Sequence, residues 1–366
     1  MEIAVTGANG FIAKNFIYSF VGNKRFNINR ITRATSKDQT KKILNKCKIL
    51  YHFAGVNRPD KKKKFKKDNF ELTKFICDYL KEKKIKTQII FSSSIQVNKN
   101  NAYGNSKRKC EKLLLDLKKK NGNNIFILRM PNIFGKWSRP NYNSVVATFC
   151  HNIARNKKVY ISDPNSIINL LYVDDLVVKL KEYTKIRSDK KMIDCIKPND
   201  KITLKQLYNK INSFQINRTK KIIGKISKGL NKNLYSTYIS FLPPKKITYN
   251  IEKKNDSRGS FVEFYKNDDT GQVSFFIAKK GKIRGHHFHH SKVEKFLVVQ
   301  GKAIFNMFDI STKKKLSFKL DDKNLKIVES IPGYQHYIKN VGNSDLIVLL
   351  WSNEIFDVKK PDTYKI

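Results

Sequence analysis

The pattern of apolar and polar positions changes character once along the chain. Over the first 130 residues, apolar runs at Glu2 to Thr6, Ile28 to Thr32, Ile49 to Ala54, Gln88 to Ser92 and Ile125 to Arg129 predict strands. The stretches between them have helical periodicity, clearest over Ala102 to Lys119, where Leu113, Leu114 and Leu117 share one face. Strands alternating with helices predict a doubly wound parallel sheet covered on both faces. From Phe261 onward the strands are separated by glycine turns and include Gln272 to Ala278, Glu294 to Val299, Ala303 to Phe308 and Leu346 to Trp351. That pattern predicts an all-β barrel or jelly roll. The change falls near Pro243-Pro244, so the expectation is an α/β domain over 1–245 and a β domain over 246–366, with no internal repeat.

Length and composition agree with two folded domains. The 366 residues exceed the roughly 100 to 200 that one core usually organises. A content of 40% hydrophobic and 11% aromatic residues excludes a mostly disordered chain. No stretch approaches the roughly 20 apolar residues of a spanning helix, and Ile3-Ala4-Val5 runs into glycines without a signal-peptide core, so neither secretion nor membrane insertion is expected. Cys47, Cys77, Cys110, Cys150 and Cys195 form an odd set without CxxC pairing, as in a reduced, cytoplasmic protein. The net charge is +45, of which +37 lies up to residue 245 and +8 after it. Such basicity alone suggests nucleic acid, anionic lipid or a phosphorylated substrate. Only 12 of the 75 cations are arginine, however, and lysine rises with isoleucine and asparagine as in an AT-rich coding sequence. Lys61 to Lys64 and Lys313 to Lys315 have few interleaved aromatics or glycines, so a solvated lysine surface is expected rather than specific nucleic-acid binding.

Candidate chemistry begins at the first strand-to-helix turn. Gly7-Ala8-Asn9-Gly10-Phe11-Ile12-Ala13 lets backbone N–H groups and a helix N-terminus approach a pyrophosphate, with Ala13 small enough for close packing. Roughly 20 residues on, where an acid would bind the ribose hydroxyls of NAD, stand Arg30 and Arg33, which favours the extra phosphate of NADP. The third strand ends in Tyr51-His52-Phe53-Ala54-Gly55, a small-residue turn able to pass under an adenine-ribose. The fourth ends in Ser92-Ser93-Ser94, and the next helix carries Tyr103 and Lys107 four positions apart on one face.

These residues resemble the extended short-chain dehydrogenase/reductase family, the nucleotide-sugar epimerases, dehydratases and reductases built on a Rossmann-type sheet. Arg129 to Gly135 resembles that family's segment beside the nicotinamide and sugar, and Tyr172-Val173-Asp174-Asp175 its later "VDD" signature. The resemblance implies an NADPH site formed by Gly7, Asn9, Gly10, Phe11, Ile12, Arg30, Arg33, Ala54, Gly55, Tyr103 and Lys107. It implies that Tyr103 gives or takes the proton at a hydroxyl or ketone, while Lys107 holds the ribose and lowers the phenol's pKa. Ser94, with Ser93 second, would hydrogen-bond the carbonyl oxygen. Only nine positions separate Ser94 from Tyr103, a tighter loop than in many relatives.

A second constellation lies in the β region. Gly281, His287, His289, Glu294 and Gly301 match G-x5-H-x-H-x4-E-x6-G, the first cupin motif, at every fixed position. Gly333, His336 and Asn340 match the second, except that Ile331 holds the usual proline slot and Pro332 follows it. Histidines two apart on a strand share a face, and His287, His289, Glu294 and His336 suit zinc or another divalent transition metal. Overlapping this, Asp256 to Glu263, Gln272 and Ile283 to Phe288 resemble the cupin-type epimerases of nucleotide-linked 4-keto-6-deoxy sugars. There the residue matching His287 is the base beside the ketone, a role in conflict with metal ligation. The combined resemblance, to bifunctional reductase–cupin epimerases, implies a UDP-linked 4-keto-6-deoxy amino sugar as substrate. The cupin would invert carbon 3 and NADPH would reduce carbon 4, in a homodimeric enzyme. A dTDP-linked 4-keto sugar, or a non-enzymatic NADPH-sensing protein that grips polyanions, stands as the rival reading.

Overall fold

A computed structural model describes residues 1–57, 66–185 and 192–365. The chain divides into two compact units, Met1–Ser213 with Ser227–Pro243, and Phe214–Ile226 with Pro244–Ile366. A single cut at 245 does not describe this division, because Phe214–Ile226 groups with the β region. There Ile223 N–H donates to Lys266 O (2.7 Å), and Asn267 Nδ2 donates to Ile223 O (2.5 Å).

The first unit has strands β1 (Glu2–Thr6), β2 (Asn27–Ile31), β3 (Ile49–His52), β4 (Gln88–Ser94), β5 (Ile125–Met130), β6 (Asn132–Phe134), β7 (Ile167–Tyr172), β8 (Ile193–Cys195) and β9 (Asp200–Thr203). Six form a parallel sheet in the order β2-β1-β3-β4-β5-β8, and a small second sheet runs β6-β7-β9. Period-two alternation sends Ile3, Val5, Tyr51, Ile90, Phe126 and Leu128 to one core, with Phe16 and Ile17 of the helix Phe11–Tyr18. It sends Ala4, Leu50, Ile89, Phe91, Ile125 and Ile127 to the other, where the helix Ala102–Asn121 contributes Cys110, Leu114 and Leu117. Both faces are therefore covered, as the near-continuous apolar strands require. Because the chain leaves β1 for β2 and then crosses back to β3, a crevice opens at the carboxyl ends of β1 and β3.

The second unit contains β10 (Lys253–Asp256), β11 (Gly259–Asn267), β12 (Gly271–Ala278), β13 (Ile283–His287), β14 (Glu294–Gln300), β15 (Lys302–Asp309), β16 (Lys315–Asp321), β17 (Ile327–Glu329), β18 (Tyr334–Asn340) and β19 (Leu346–Ser352). They form two antiparallel sheets, β10-β11-β12-β19-β14-β17 and β13-β18-β15-β16. Phe276, Phe296, Val298, Phe305, Met307, Ile338 and Val348 fill the core between them. The expected α/β sheet followed by a jelly roll is the fold observed. Among the described residues no helix is long and apolar enough to cross a membrane.

A polar tie crosses the first unit's second core. Glu111 is buried, accepts from Ser93 Oγ at 2.5 Å, and pairs with Arg129 Nη2 at 2.7 Å. Glu111→Ala should destabilise the protein by about 3 kcal/mol, the low end for a broken buried pair because Arg129 keeps some water contact. Denaturant unfolding checks this; an unchanged midpoint would show the tie to be energetically neutral.

Candidate functional site

Gly7 (φ +66°) turns the chain from β1 into the helix Phe11–Tyr18. A Cβ there would lie 2.8 Å from both Cα and N of Ala54, so the turn after β1 presses on the backbone after β3 and only glycine fits. Gly10 begins the helix with no side-chain cap, and the first turn carries no acid, so the positive helix end faces the crevice uncompensated. Asn9 and Gly10 are exposed at the turn, whereas Phe11 and Ile12 are half-buried, Ile12 against the core. Ala8 N–H donates to Ile31 O at 3.2 Å, which brings the end of β2 alongside. Arg30 and Arg33 are exposed there, Arg30 with its guanidinium 5.4 Å from the Tyr18 ring centre.

A buried relay fixes the turn after β3. Ala54 N–H donates to Thr6 Oγ1 (3.1 Å), which lies 2.6 Å from His52 Nδ1; His52 Nε2 lies 2.9 Å from Thr73 Oγ1, and Thr73 donates to Asn69 O (2.8 Å). Since Thr73 donates onward, the proton of neutral His52 sits on Nε2. Burial, helped by the charge of Lys107, pushes His52 down to about 3, so it stays neutral. Asn69 accepts from Val56 N–H (2.7 Å) and donates to Val56 O and Ser106 Oγ (3.0 Å each). Sequence reasoning passed over His52 as a ligand-site residue and missed Asn69 altogether.

Ser94 ends β4, and the helix Ala102–Asn121 that follows carries Tyr103 and Lys107. Ser94 hydrogen-bonds Tyr103, while Ser93 is buried on Glu111, which leaves Ser94 as the serine at the site. Lys107 is fully interior: its Nζ donates to Ser92 O at 2.7 Å and sits 4.7 Å from the Phe91 ring centre. A Cβ on Gly55 would lie 3.3 Å from that Nζ. Burial lowers Lys107 to about 8, against the raising charges of Cys110 and Glu111. Burial raises Tyr103 to about 12, the Ser94 hydrogen bond opposes it, and Lys107 directs its ammonium to Ser92.

The tight loop has a specific enabling residue. Ser94 caps the short turn Ile95–Asn98, and Asn101 then caps the helix, accepting from Gly104 N–H at 2.8 Å. A Cβ on Gly104 would fall 2.2 Å from Gln96 O and 2.8 Å from Lys99 O. The spacing between Ser94 and Tyr103 thus depends on a glycine within the helix, which the sequence reading had not singled out.

In the second unit, a cavity of about 420 Å³ is lined by Arg258, Phe261, Arg284, His287, Glu294 and Phe356 among others. At its base one ligand atom from each of His287, His289, Glu294 and His336 lies within 4.8 Å of the others. A bulge between Gly285 and His287 sets the register that places His287 opposite His336. Gly285 (φ +102°) lets β18 approach, since a Cβ would meet His336 O at 2.7 Å. His289 Nδ1 contacts Asp362 O at 2.5 Å, so its Nε2 carries the lone pair. That Nε2 is buried, lacks a partner in hydrogen-bond geometry, and lies 3.3 Å from Glu294 Oε2, itself 3.2 Å from His336 Nε2. Acceptors converging this way, three imidazoles and one carboxylate, fit a divalent transition ion. Burial and the neighbouring His336 lower His287 to about 4, and it is the least enclosed of the four.

The NAD dependent epimerase/dehydratase family model matches residues 3–180, and that of the polysaccharide biosynthesis C-terminal domain matches residues 254–364. The first family works with a nicotinamide cofactor, and its Rossmann-type sheet is the one described above. A UDP-2-acetamido-2,6-β-L-arabino-hexul-4-ose reductase of Pseudomonas aeruginosa is 39% identical over 364 residues, covering 100% of this chain and 98% of the relative. The crystal structure of capsular polysaccharide assembling protein CapF from Staphylococcus aureus has a TM-score of 0.92 at 37% identity, with 100% of both chains covered. The chain belongs to the family of these two proteins. A UDP-glucose 4-epimerase of Thermotoga maritima, 18% identical with a TM-score of 0.57 over 68% of this chain and 100% of that one, shares the fold.

The Gly104 contact yields a direct test. Gly104→Ala should displace the loop 95–101, cost about 2 kcal/mol as an overpacked site, and reduce cofactor oxidation at least about tenfold by separating Ser94 from Tyr103. Steady-state kinetics beside a thermal melt would check both; wild-type turnover would show that the loop yields without moving Ser94.

Proposed function

We propose that the chain is a bifunctional enzyme of capsule or O-antigen sugar synthesis, on the route to UDP-N-acetyl-L-fucosamine. The β unit inverts carbon 3 of UDP-2-acetamido-2,6-dideoxy-4-hexulose, and the first unit reduces the carbon-4 ketone with NADPH to UDP-2-acetamido-2,6-dideoxy-L-talose. The observation that carries this reading is the Ser94–Tyr103 hydrogen bond beside buried Lys107, in a chain 39% identical to a reductase named for such a hexulose.

NADPH bound at the Gly7–Gly10 turn supplies the hydride for carbon 4. Burial keeps Tyr103 protonated near neutral pH, so it holds a proton ready for the oxygen as charge develops there. Ser94 shares that hydroxyl's hydrogen bond and orients the same oxygen. Lys107, next to Gly55, presents positive charge where the ribose hydroxyls pass, and Arg30 and Arg33 receive the 2′-phosphate. In the cavity, His287, His289, Glu294 and His336 would hold zinc or a similar ion, whose chemistry there is Lewis-acid polarisation of the ketone. His287, neutral and facing the cavity, takes the carbon-3 proton through a nitrogen that is not ligating, and solvent returns a proton to the opposite face of the enolate. Arg258 and Arg284, both paired with Asp256, line the same cavity with donors suited to a diphosphate.

Tyr103→Phe should lower NADPH oxidation by at least about 100-fold with NADPH affinity nearly unchanged, because only the transferable proton is lost. The same full-length variant, without NADPH, should still exchange the carbon-3 proton of the hexulose for deuterium. Exchange that needs Tyr103 and NADPH would overturn the division of labour. Full-rate exchange in folded, metal-depleted protein would assign the ion a structural role and His287 the role of free base.

Cofactor choice is tested separately. Arg33→Ala should weaken NADPH binding about tenfold and leave NADH binding nearly unchanged, since one charge-assisted contact to the 2′-phosphate is lost. Equal affinity of the wild type for the two cofactors would refute the arginine argument.

A further inference from the structure

The last residues of the chain are wired to the candidate metal centre. The Asp362 carboxylate accepts from His290 N–H (2.9 Å), Ser291 N–H (2.9 Å), Lys292 N–H (2.8 Å) and Ser291 Oγ (2.9 Å). The backbone carbonyl of the same residue accepts from His289 Nδ1 at 2.5 Å, across 73 positions of sequence. Lys292, itself buried, donates from Nζ to Pro361 O and to Thr363 Oγ1, each at 2.9 Å. Phe288 and Tyr364 exchange backbone hydrogen bonds of 2.9 and 3.0 Å. Asp362 holds φ +34°, outside the regions a non-glycine residue prefers, and such a conformation persists only where its surroundings over-determine it. Here the side chain locks onto three successive amides while the main chain is aimed at the histidine.

We propose that the segment Pro361 to Tyr364 is a positioning strap for the metal centre, with Asp362 as its anchor: its carbonyl fixes His289 as the Nδ1–H tautomer, so that Nε2 points its lone pair at the ion. This rests on the metal reading above and extends it to residues outside both motifs. Outer partners of this kind set ligand tautomer and orientation, and their loss typically weakens metal affinity about 10- to 100-fold. Thr363 lines the cavity too, so the strap forms part of the wall around the same site.

The test uses the full-length protein and two variants, Asp362→Ala and a chain ending at Lys360, with zinc affinity measured by competition against a chromogenic chelator. Both variants should bind zinc at least about tenfold more weakly while the NADPH affinity of the first unit is retained. In metal-free protein, long-range proton–nitrogen spectra should show His289 as the Nδ1–H tautomer in the wild type and as a mixture in Asp362→Ala. That readout moves with the tautomer and not with a general loss of stability, so it decides the matter even if the truncated chain folds poorly. Wild-type zinc affinity and an unchanged tautomer in folded Asp362→Ala would overturn the strap alone. A wild-type chain that takes up no zinc would overturn the metal reading and the strap together.

Discussion

An ammonium group taken out of water costs several kcal/mol unless its protons are accepted and its charge is answered. Lys107 meets that demand with the Ser92 carbonyl at the end of β4, the face of Phe91 and the nearby charge of Glu111. Each partner constrains a neighbour. Ser92 O is available because β4 runs on to Ser94, and that extension carries Ser94 to Tyr103. The space before the ammonium must stay clear, which leaves Gly55 without a side chain and brings Asn69 in to hold Val56. The His52 relay then joins this turn to the end of β1, where Gly7 gives way to the backbone of Ala54. The crevice is thus one connected object, held by one buried charge and the close approach of the Gly7 and Ala54 backbones.

The β unit presents the converse constraint. Its interior gathers acceptors with no proton between them, the His289 lone pair and the Glu294 carboxylate, at hydrogen-bond distance but outside hydrogen-bond geometry. Such an arrangement repels itself unless a cation stands within it. The outer contacts of Asp362 and Tyr334 aim both imidazoles inward. On the proposed metal reading, the C-terminal segment serves to hold that one lone pair in place.

Features set by near neighbours were legible in the sequence. The glycine turn, the period-two sheet faces and the H-x-H spacing each follow from geometry within a few residues. Strand ends were read less well, and the reasons are visible. β3 stops at His52 rather than Ala54 because Ala54 N–H leaves the ladder for Thr6 Oγ1, a side-chain bond that no propensity encodes. β4 continues through three serines because β5 offers Leu128 to Met130 as ladder partners. The need for glycine at 104 arises from carbonyls eight and five positions back across a loop, and the role of Asp362 from a contact 73 positions away. Four-residue spacing on a helix says which side chains share a face, and nothing of the strand carbonyl that also accepts from the lysine.

Both proposed reactions draw on one carbonyl, which sets their order. The proton at carbon 3 is acidic only while carbon 4 is a ketone, so inversion must precede reduction, and reduction then traps the inverted centre. The two sites need opposite proton chemistry at the same pH, a donor for the developing alkoxide and an acceptor for the carbon-bound proton. A single physical effect serves both. Burial disfavours the charged form of any group, which raises an acid and lowers a base. It lifts Tyr103 to about 12 and so keeps a proton on the phenol, and it lowers His287 to about 4 and so keeps a lone pair on the imidazole. Desolvation leaves each group in its neutral form, the donor form of a phenol and the acceptor form of an imidazole.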